Sequence, residues 1–223
     1  MIRLQNITKT FGAGNTALDD VTFHIDKGEF VFIIGPSGSG KTTLFRLITK
    51  ETAPTHGTIN IGQWDIGKLD KKHIPTLRKS IGVIFQDLKM LKDRTIFENI
   101  LLPLEVAGMN DEQANQKIDS VLEKVGILEH KEKFPIQLSG GELQRAAIAR
   151  ALAFSPEIIL ADEPTGNLDN STTWEIIKLL QDINAEGTTI LMATHNTEII
   201  TSLPKRIIVL EKGKIVDDKK KEK

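Results

Sequence analysis

The chain contains no cysteine, and this absence removes several classes of chemistry at once. Disulfide scaffolds, cysteine-ligated metals and thiol nucleophiles all require that residue. A chain without cysteine is what a reducing cytosol permits. We therefore expect neither a disulfide-stapled fold nor a redox mechanism.

An excess of positive charge is also missing. The 223 residues carry 29 lysines and arginines against 30 aspartates and glutamates, which gives a formal net charge of -1. Proteins that bind nucleic acid need clustered cations to neutralise phosphates, and nothing in the overall balance indicates them. We expect no nucleic-acid partner.

Long hydrophobic runs are absent as well. The longest apolar stretches, such as Phe30–Ile34 and Ile158–Ala161, fall far short of the ~20 residues that a membrane-spanning helix needs. The first residues, Met1–Gln5, alternate apolar and polar side chains and lack the ~7–15-residue apolar core of a secretory signal. The pattern predicts an edge strand there and a protein that is soluble by itself.

The hydrophobic pattern alternates strand-like and helix-like segments, which is typical of doubly wound α/β folds. Near-continuous apolar runs predict strands buried on both faces of a parallel sheet. These runs are Phe30–Ile34, Ile158–Ala161, Thr188–Ala193 and Arg206–Leu210. Helix-period patterns predict helices at Thr42–Lys50, Asp111–Val125 and Ser171–Asn184.

The length favours one α/β domain with an insert, because single cores stop growing near ~250–300 residues. Strand signals fade between Asp87 and Phe154, which predicts a helical subdomain over 87–154 within a core formed by 1–86 and 155–223. The whole chain is then a single domain that carries a helical subdomain.

The two ends of the chain differ in pattern. Alternating residues at Leu4–Ile7 and Val21–Ile25 predict antiparallel strands beside the parallel sheet, so we expect a mixed sheet. The charge run Asp217–Lys223 has no apolar residue for packing and predicts a solvated tail. The alternative is a weak attraction of its lysines to anionic lipid.

The strongest motif lies directly after the first predicted buried strand. A glycine, four variable residues and a Gly-Lys-Thr run match the phosphate-binding loop pattern over Gly35–Thr42. Glycines let backbone N–H groups curl around phosphate oxygens, and the following helix adds partial positive charge at its first turn. Lys41 can then reach the β- and γ-phosphates, and the Thr42 hydroxyl can ligate Mg²⁺. The predicted nucleotide contacts here are Gly35, Pro36, Ser37, Gly38, Ser39, Gly40, Lys41, Thr42 and Thr43; the alternative is a chance glycine-rich turn.

A pair of carboxylates ends another predicted strand. Asp162 and Glu163 follow Ile158–Ala161, at the carboxyl edge where parallel sheets bind ligands. Asp162 is predicted to hold Mg²⁺ through a coordinated water, and Glu163 to orient and deprotonate the attacking water as general base. Such a pair alone is more often a strand-end cap, so the prediction depends on the phosphate loop upstream.

Between these two pieces stands a segment that resembles the signature sequence of ABC ATPases. It reads Leu-Ser-Gly-Gly-Glu-Leu-Gln-Arg over Leu138–Arg145, and the resemblance extends along essentially the whole chain. The resemblance implies a P-loop NTPase fold of the ABC type, with an α/β core, and ATP and Mg²⁺ as cofactors. Leu143 stands where the family often has glutamine, and Phe11 where it often has tyrosine; both keep the packing or stacking role.

The resemblance also implies roles for residues outside the phosphate loop. Phe11 would stack on adenine, Gln86 would be the Q-loop glutamine and His195 the switch histidine. Asn167–Asp169 matches the D-loop, with Asp169 at the nucleotide. The catalytic set is then Glu163, His195 and Gln86, and the metal-binding set is Thr42, Gln86 and Asp162.

Each of these residues also has a purely structural alternative. Phe11 could be an edge-strand aromatic packed on the core, His195 a surface or capping residue, and Gln86 the end of a strand. Function is favoured for His195 because the resemblance predicts it, and a histidine at the end of a parallel strand can reach a γ-phosphate. It is favoured for Gln86 because an amide oxygen can ligate Mg²⁺, and for Phe11 because the adjoining glycine-rich turn allows close approach of adenine.

The signature segment points to a second subunit. Ser139, Gly140 and Gly141 open a predicted helix whose N-terminal amides favour an anion, yet they lie on the helical insert, away from the chain's own phosphate loop. They would therefore serve a partner's nucleotide. The sequence predicts a homodimer with C₂ symmetry that encloses two ATP molecules.

A finer resemblance is to the FtsE family of bacterial cell-division ATPases. The segments that carry it include Ser80–Asp87, Phe134–Gln137 and Leu191–Asn196. This resemblance implies an FtsX-like integral membrane subunit, a position at the cytoplasmic face of the inner membrane, and transmission of ATP-driven motion to cell-wall hydrolases. The surface around Gln86–Leu91 is the expected receiver of a helix from the membrane subunit, although its apolar side chains could equally be core.

Three other functions remain open from the sequence. Related motifs occur in the ATPase subunits of lipoprotein-release and macrolide-type exporters. Soluble ABC proteins of DNA repair or translation usually carry long coiled-coil inserts or two ATPase halves, and this chain has neither. A module that binds ATP without turnover is disfavoured because Glu163 and His195 are both present.

Overall fold

Two β-sheets carry the fold. The structure is a computed structural model that describes residues 1–219. In chain order the strands are β1 (Ile2–Thr10), β2 (Thr16–Ile25), β3 (Phe30–Ile34), β4 (His56–Ile61), β5 (Trp64–Asp65), β6 (Ile81–Ile84), β7 (Ile158–Asp162), β8 (Thr189–Ala193), β9 (Arg206–Glu211) and β10 (Lys214–Lys219). The helices are α1 (Lys41–Ile48), α2 (Ile74–Lys79), α3 (Ile96–Val106), α4 (Asp111–Lys124), α5 (Gly140–Leu152), α6 (Asn170–Ala185) and α7 (Thr197–Ser202). Short 3-10 helices occur at Gly12–Gly14, Lys71–His73, Leu128–His130 and Pro135–Gln137.

The larger sheet has the strand order β10-β9-β3-β8-β7-β6. Its strands from β9 to β6 run parallel, as the registers Phe30↔Ile190 and Ile81↔Ile158 illustrate. The predicted strands at Phe30–Ile34, Ile158–Ala161, Thr188–Ala193 and Arg206–Leu210 are confirmed as β3, β7, β8 and β9. Only β10, at one edge, is antiparallel, so the sheet is mixed.

The N-terminal strands are antiparallel, as predicted, but they form a separate sheet of order β2-β1-β4-β5. The physical reason lies in β1, where Ile2 and Leu4 are fully buried whereas Arg3 and Gln5 are exposed. A strand with one solvent-exposed face cannot join the interior of a sheet that is covered on both sides. It instead closes one side of the larger sheet.

The hydrophobic core consists of one cluster on each face of the larger sheet. Residues of β3 alternate between them: Val31 and Ile33 face the smaller sheet and α1, whereas Phe30 and Phe32 face the helices on the other side. This alternation explains why β3 reads as a continuous apolar run. The Gly-rich loop that follows β3 is thereby fixed between two packed layers.

The segment between β6 and β7 is helical. Within the described chain it contains α3, α4 and α5 and no strand. Helix α4 buries Ala114, Ile118, Val121 and Leu122 on one face, as the sequence period predicts. None of the helices within residues 1–219 is both long and apolar enough to cross a membrane.

The prediction of a solvated tail from Asp217 is wrong for the residues that the structure describes. Asp217–Lys219 belong to β10, which pairs with β9 through Asp218↔Ile208. The guanidinium of Arg206, which is 7% exposed, donates to both carboxylate oxygens of Asp218 at 2.7 Å. The buried cation Arg206 on β9 is thus the partner of this charged segment, which the sequence did not reveal. Residues 220–223 lie outside the described part of the chain.

Replacement of Asp218 by alanine tests this anchor. Asp218→Ala removes two charge-assisted hydrogen bonds from Arg206, whose remaining partners among the described residues are the His24 carbonyl and Glu29. The free energy of unfolding, measured by urea denaturation, should fall by about 1–3 kcal/mol. Asp217→Ala is the matched control, because within residues 1–219 the ion pair of Asp217 is with the exposed Lys219. Equal losses in the two variants would contradict the assignment.

Candidate active site

Four neighbouring strands of the larger sheet deliver the predicted catalytic residues to one edge. The phosphate loop follows β3, and His195 follows β8. Asp162 ends β7, Glu163 comes directly after it, and Gln86 follows β6. In the strand order β3-β8-β7-β6 these carboxyl ends are adjacent. This is the edge at which open parallel sheets bind ligands.

These residues line one cavity of about 590 Å³. Its walls are formed by Ala17, Gly35, Pro36, Ser37, Gly38, Ser39, Gly40, Lys41, Thr42, Thr43, Gln86, Asp162, Glu163 and His195. The structure therefore brings the phosphate loop together with Gln86 and the residues after β7 and β8. Ala17, on β2, is the member that sequence reasoning missed, and a small residue in a strand gives no signal by which it could have been found.

Gly40 shows why the loop needs glycine next to the helix. Its φ of 111° lies in the left-handed region, and a Cβ at this position would approach the Ala17 carbonyl oxygen to 2.7 Å. Only a glycine allows β2 to pack so closely against the start of α1. The backbone N–H groups at the start of α1 then face the part of the cavity that an anion would occupy.

Lys41 supplies the positive charge of the cavity. Its ammonium group donates hydrogen bonds to the carbonyl oxygens of Gly35 at 2.7 Å and Pro36 at 3.1 Å. Both partners are neutral, so the charge is held in place without being neutralised by them. An ammonium group fixed over a ring of backbone N–H groups suits a polyphosphate.

Asp162 and Thr42 contact each other in the wall of the cavity. The Thr42 hydroxyl donates to a carboxylate oxygen of Asp162 at 3.1 Å. Burial raises the pKa of Asp162, the neighbouring Glu163 carboxylate raises it further, and the hydrogen bond from Thr42 opposes both. A raised carboxyl pKa means that added positive charge would be favourable here.

This arrangement fits a hard divalent cation. Hydroxyl, carboxylate and amide oxygens from Thr42, Asp162 and Gln86 all line the cavity, and oxygen ligands are those that Mg²⁺ prefers. Within residues 1–219, the buried Ser39 hydroxyl oxygen has no hydrogen-bond partner.

Glu163 and His195 form a pair at the mouth of the cavity. Nδ1 of His195 lies 2.8 Å from Oε1 of Glu163, and the side chains are 75% and 11% exposed. Glu163 adopts φ 48°, a left-handed conformation that costs a non-glycine residue on the order of 1 kcal/mol. Its N–H is held by the Ala193 carbonyl of β8 at 2.9 Å. The strained backbone places the Glu163 carboxylate beside His195, so Glu163 is not a strand-end cap.

The signature residues line a different cavity, of about 320 Å³. Its walls are Ser139, Gly140, Gly141, Glu142, Arg145, Asn167, Leu168, Asp169, Thr172 and Glu175. The two cavities have no lining residue in common. Among the predicted nucleotide contacts, the structure therefore separates Ser139, Gly140, Gly141 and Asp169 from the chain's own phosphate loop.

Two helix N-termini open onto this second cavity. Ser139 caps α5 in a capping box with Glu142, and Asp169 caps α6 by accepting from the Thr172 N–H at 3.0 Å. Hydrogen bonds from Thr172 lower the pKa of Asp169. A Cβ on Gly141 would lie 2.6 Å from the Thr172 methyl group, so the Thr172 side chain would have to shift to admit any larger residue here.

Phe11 lies outside both cavities. Its side chain is 41% exposed, and the Lys9 ammonium sits 4.9 Å from the ring centroid. Lys9 also donates to the Ala53 carbonyl at 2.7 Å, which fixes the cation on one face of the ring. Phe11 is thus not packed in the core, and a stacking role stays a prediction.

Comparison with known proteins identifies the family. The ABC transporter family matches residues 18–166. The cell division ATP-binding protein FtsE of Streptococcus pneumoniae serotype 2 strain D39 is 44% identical over 221 residues, which are 99% of this chain and 96% of that protein. FtsE of Mycobacterium tuberculosis strain H37Rv is 45% identical over 222 residues, again 99% of this chain and 96% of the relative.

A solved structure supports the same family as the sequence relatives. The dimeric post-hydrolysis state of the ATP-binding cassette MJ0796, bound to ADP and Pi, matches with a TM-score of 0.89 at 37% sequence identity, and the match covers 100% of each chain. The resemblance to ABC ATPases, which the phosphate loop and the signature segment indicated, is therefore confirmed along the full length of the chain. The chain belongs to the ABC transporter family of ATP-binding proteins and, within it, to the FtsE family of cell-division ATP-binding proteins.

Proposed function

We propose that two copies of this chain enclose two ATP molecules and hydrolyse them to drive an FtsX-like integral membrane subunit during bacterial cell division. The observation that carries the proposal is the separation of the phosphate loop and the signature helix into two cavities of one chain. ATP hydrolysis at such a site needs residues from both subunits. The resulting motion would pass through the membrane subunit to cell-wall hydrolases.

The residues around the first cavity support an in-line displacement. Glu163 removes a proton from a water molecule, the water oxygen attacks the γ-phosphorus, and the bond to the β–γ bridging oxygen breaks, which yields ADP and phosphate. Lys41 and the loop N–H groups hold the phosphates, and His195, paired with Glu163, reaches the γ-phosphate. Mg²⁺, held by Thr42, Asp162 and Gln86, would supply positive charge at the β- and γ-oxygens.

The second cavity supports binding of a partner's nucleotide. The N-termini of α5 and α6, capped by Ser139 and Asp169, both favour an anion. A C₂ arrangement places this surface of each subunit over the phosphate loop of the other. ATP then joins the subunits, and hydrolysis releases them.

A third cavity supports docking of the membrane subunit. It has a volume of about 570 Å³ and includes the exposed side chains of Leu91, Leu102 and Val106, which are 41%, 46% and 82% exposed. Arg78 and Lys79 also line it, and their hydrogen-bond partners are backbone carbonyls. An amphipathic helix at the membrane surface would match this apolar floor and basic rim.

This placement agrees with the proposed division of the chain into a core of 1–86 and 155–223 and a helical subdomain of 87–154. The docking cavity contains residues from both parts, and the Q-loop that starts at Gln86 connects them. Occupancy of the active site would thus be transmitted to the membrane subunit through Gln86–Leu91. The protein would work at the cytoplasmic face of the inner membrane, bound through its partner.

The first test replaces the general base. Glu163→Gln keeps the size of the side chain but cannot accept the proton, so ATP turnover with the membrane subunit present should fall by at least about 100-fold. The same variant should accumulate as an ATP-dependent dimer in sedimentation velocity. Glu198→Gln, the same substitution at an exposed glutamate, should change neither quantity. A Glu163→Gln variant that stays monomeric in saturating ATP would contradict the proposed dimer.

The second test removes the fixed cation. Lys41→Ala should weaken ATP binding by about 10- to 100-fold, because the β- and γ-phosphates lose a charge-assisted hydrogen-bond donor. The dissociation constant is measured by equilibrium binding of a fluorescent ATP analogue. Lys178→Ala, at an exposed lysine of α6, serves as the control. An unchanged constant for Lys41→Ala would remove Lys41 from the site.

The third test charges the docking cavity. Val106→Asp introduces a carboxylate on the apolar floor and should reduce recovery of the membrane subunit in detergent pull-down by at least about tenfold. ATP-dependent dimerisation should persist. Val216→Asp is the matched control, since Val216 is 55% exposed on β10. Full recovery with Val106→Asp would place the membrane subunit elsewhere, and capture of an exporter-type permease would assign the chain to transport.

A further inference from the structure

His130 is a partly buried histidine that belongs to none of the family motifs described above. It ends the short 3-10 helix Leu128–His130, after α4, and its side chain is 14% exposed. Its Nε2 atom lies 2.9 Å from Oε1 of Glu142, in the first turn of the signature helix. The Glu129 carboxylate is farther from Nε2, at 3.8 Å, and is 69% exposed. Glu142 is therefore the main partner of His130.

The other oxygen of Glu142 binds the signature serine. Oε2 of Glu142 accepts hydrogen bonds from the backbone N–H and from the hydroxyl of Ser139, both at 2.7 Å. These bonds from Ser139, followed by the contact with His130, lower the pKa of Glu142 to about 2. The carboxylate is thus ionised near neutral pH and connects His130 to Ser139, one oxygen to each.

The surroundings of His130 select its tautomer. Its Nδ1 atom is buried and has no hydrogen-bond partner within residues 1–219. An N–H group at that position would lose its hydrogen bond to water without replacement, whereas a bare acceptor nitrogen costs less to leave unpaired. The Nε2–H group therefore donates to Glu142.

We propose that His130 is a positioning residue for the signature serine: by holding one oxygen of Glu142, it keeps the other on Ser139 at the start of α5. This inference rests on the proposed function, in which the N-terminus of α5, which Ser139 caps, faces the γ-phosphate bound by the partner subunit. Without His130 the Glu142 side chain can rotate away from the helix terminus. Ser139 then loses its fixed orientation, and the partner's nucleotide meets a less ordered surface.

Three substitutions of His130 separate this role from simple packing. In His130→Gln the amide nitrogen stands as many bonds from Cβ as Nε2 of histidine, so it can donate to Glu142. His130→Asn carries the same amide one bond closer to the backbone and cannot reach. His130→Leu fills the space without a donor.

The measurement is the ATP concentration at half-maximal dimerisation, determined by sedimentation velocity for chains that also carry Glu163→Gln. His130→Leu and His130→Asn should raise this concentration by about tenfold, which corresponds to loss of one hydrogen bond to a charged group. His130→Gln should remain within about twofold of the parent. Binding of a fluorescent ATP analogue to the monomer should be equal in all chains, because the phosphate loop is untouched.

The outcomes are distinguishable. A parent Glu163→Gln chain that never dimerises removes the proposed function and this inference with it. A parent that dimerises, together with equal dimerisation of His130→Gln and His130→Asn, overturns only the positioning role; this comparison holds even if His130→Leu fails to fold. His56→Leu, at an exposed histidine of β4, is the control and should match the parent.

Discussion

The structure depends on one spatial constraint: the two groups of residues that can bind the same phosphate open onto different cavities of one chain. The phosphate loop lies at the carboxyl edge of the larger sheet, next to α1, whereas Ser139 begins α5 beside the start of α6. Both places offer helix N-termini to an anion. Under the proposed function a complete site requires two chains, because one chain holds the two groups of residues in separate cavities, and ATP binding would then join the subunits.

The catalytic half of the site follows from sheet order. Parallel strands β3, β8, β7 and β6 are neighbours, so the residues that follow them meet although they are far apart in sequence. Burial on both faces makes these strands rigid, which fixes the Thr42–Asp162 and Glu163–His195 contacts. The helical segment that carries Ser139 packs against the same sheet, and the cavity proposed for docking lies where this segment meets the core.

The sequence predicted the structure correctly where a residue pattern has only one physical explanation. A buried strand followed by Gly35–Thr42 permits little except a phosphate loop, and an apolar run that ends in Asp162 places a carboxylate at a sheet edge. Prediction failed where the deciding partner is distant. Asp218 reads as solvated tail until Arg206 is found beside it, and Ala17 and His130 gain importance only from Gly40 and Glu142, which lie elsewhere in the chain.

Complementation between two inactive chains tests the composite site most directly. One chain carries Lys41→Ala and an intact signature; the other carries Ser139→Arg and an intact phosphate loop. If the site is shared, a mixture contains heterodimers in which one site has both intact halves, and phosphate release with the membrane subunit should exceed the sum of the separate chains. If each chain forms its own site, mixing restores no activity, and the account of this protein as an ATP-joined dimer is contradicted.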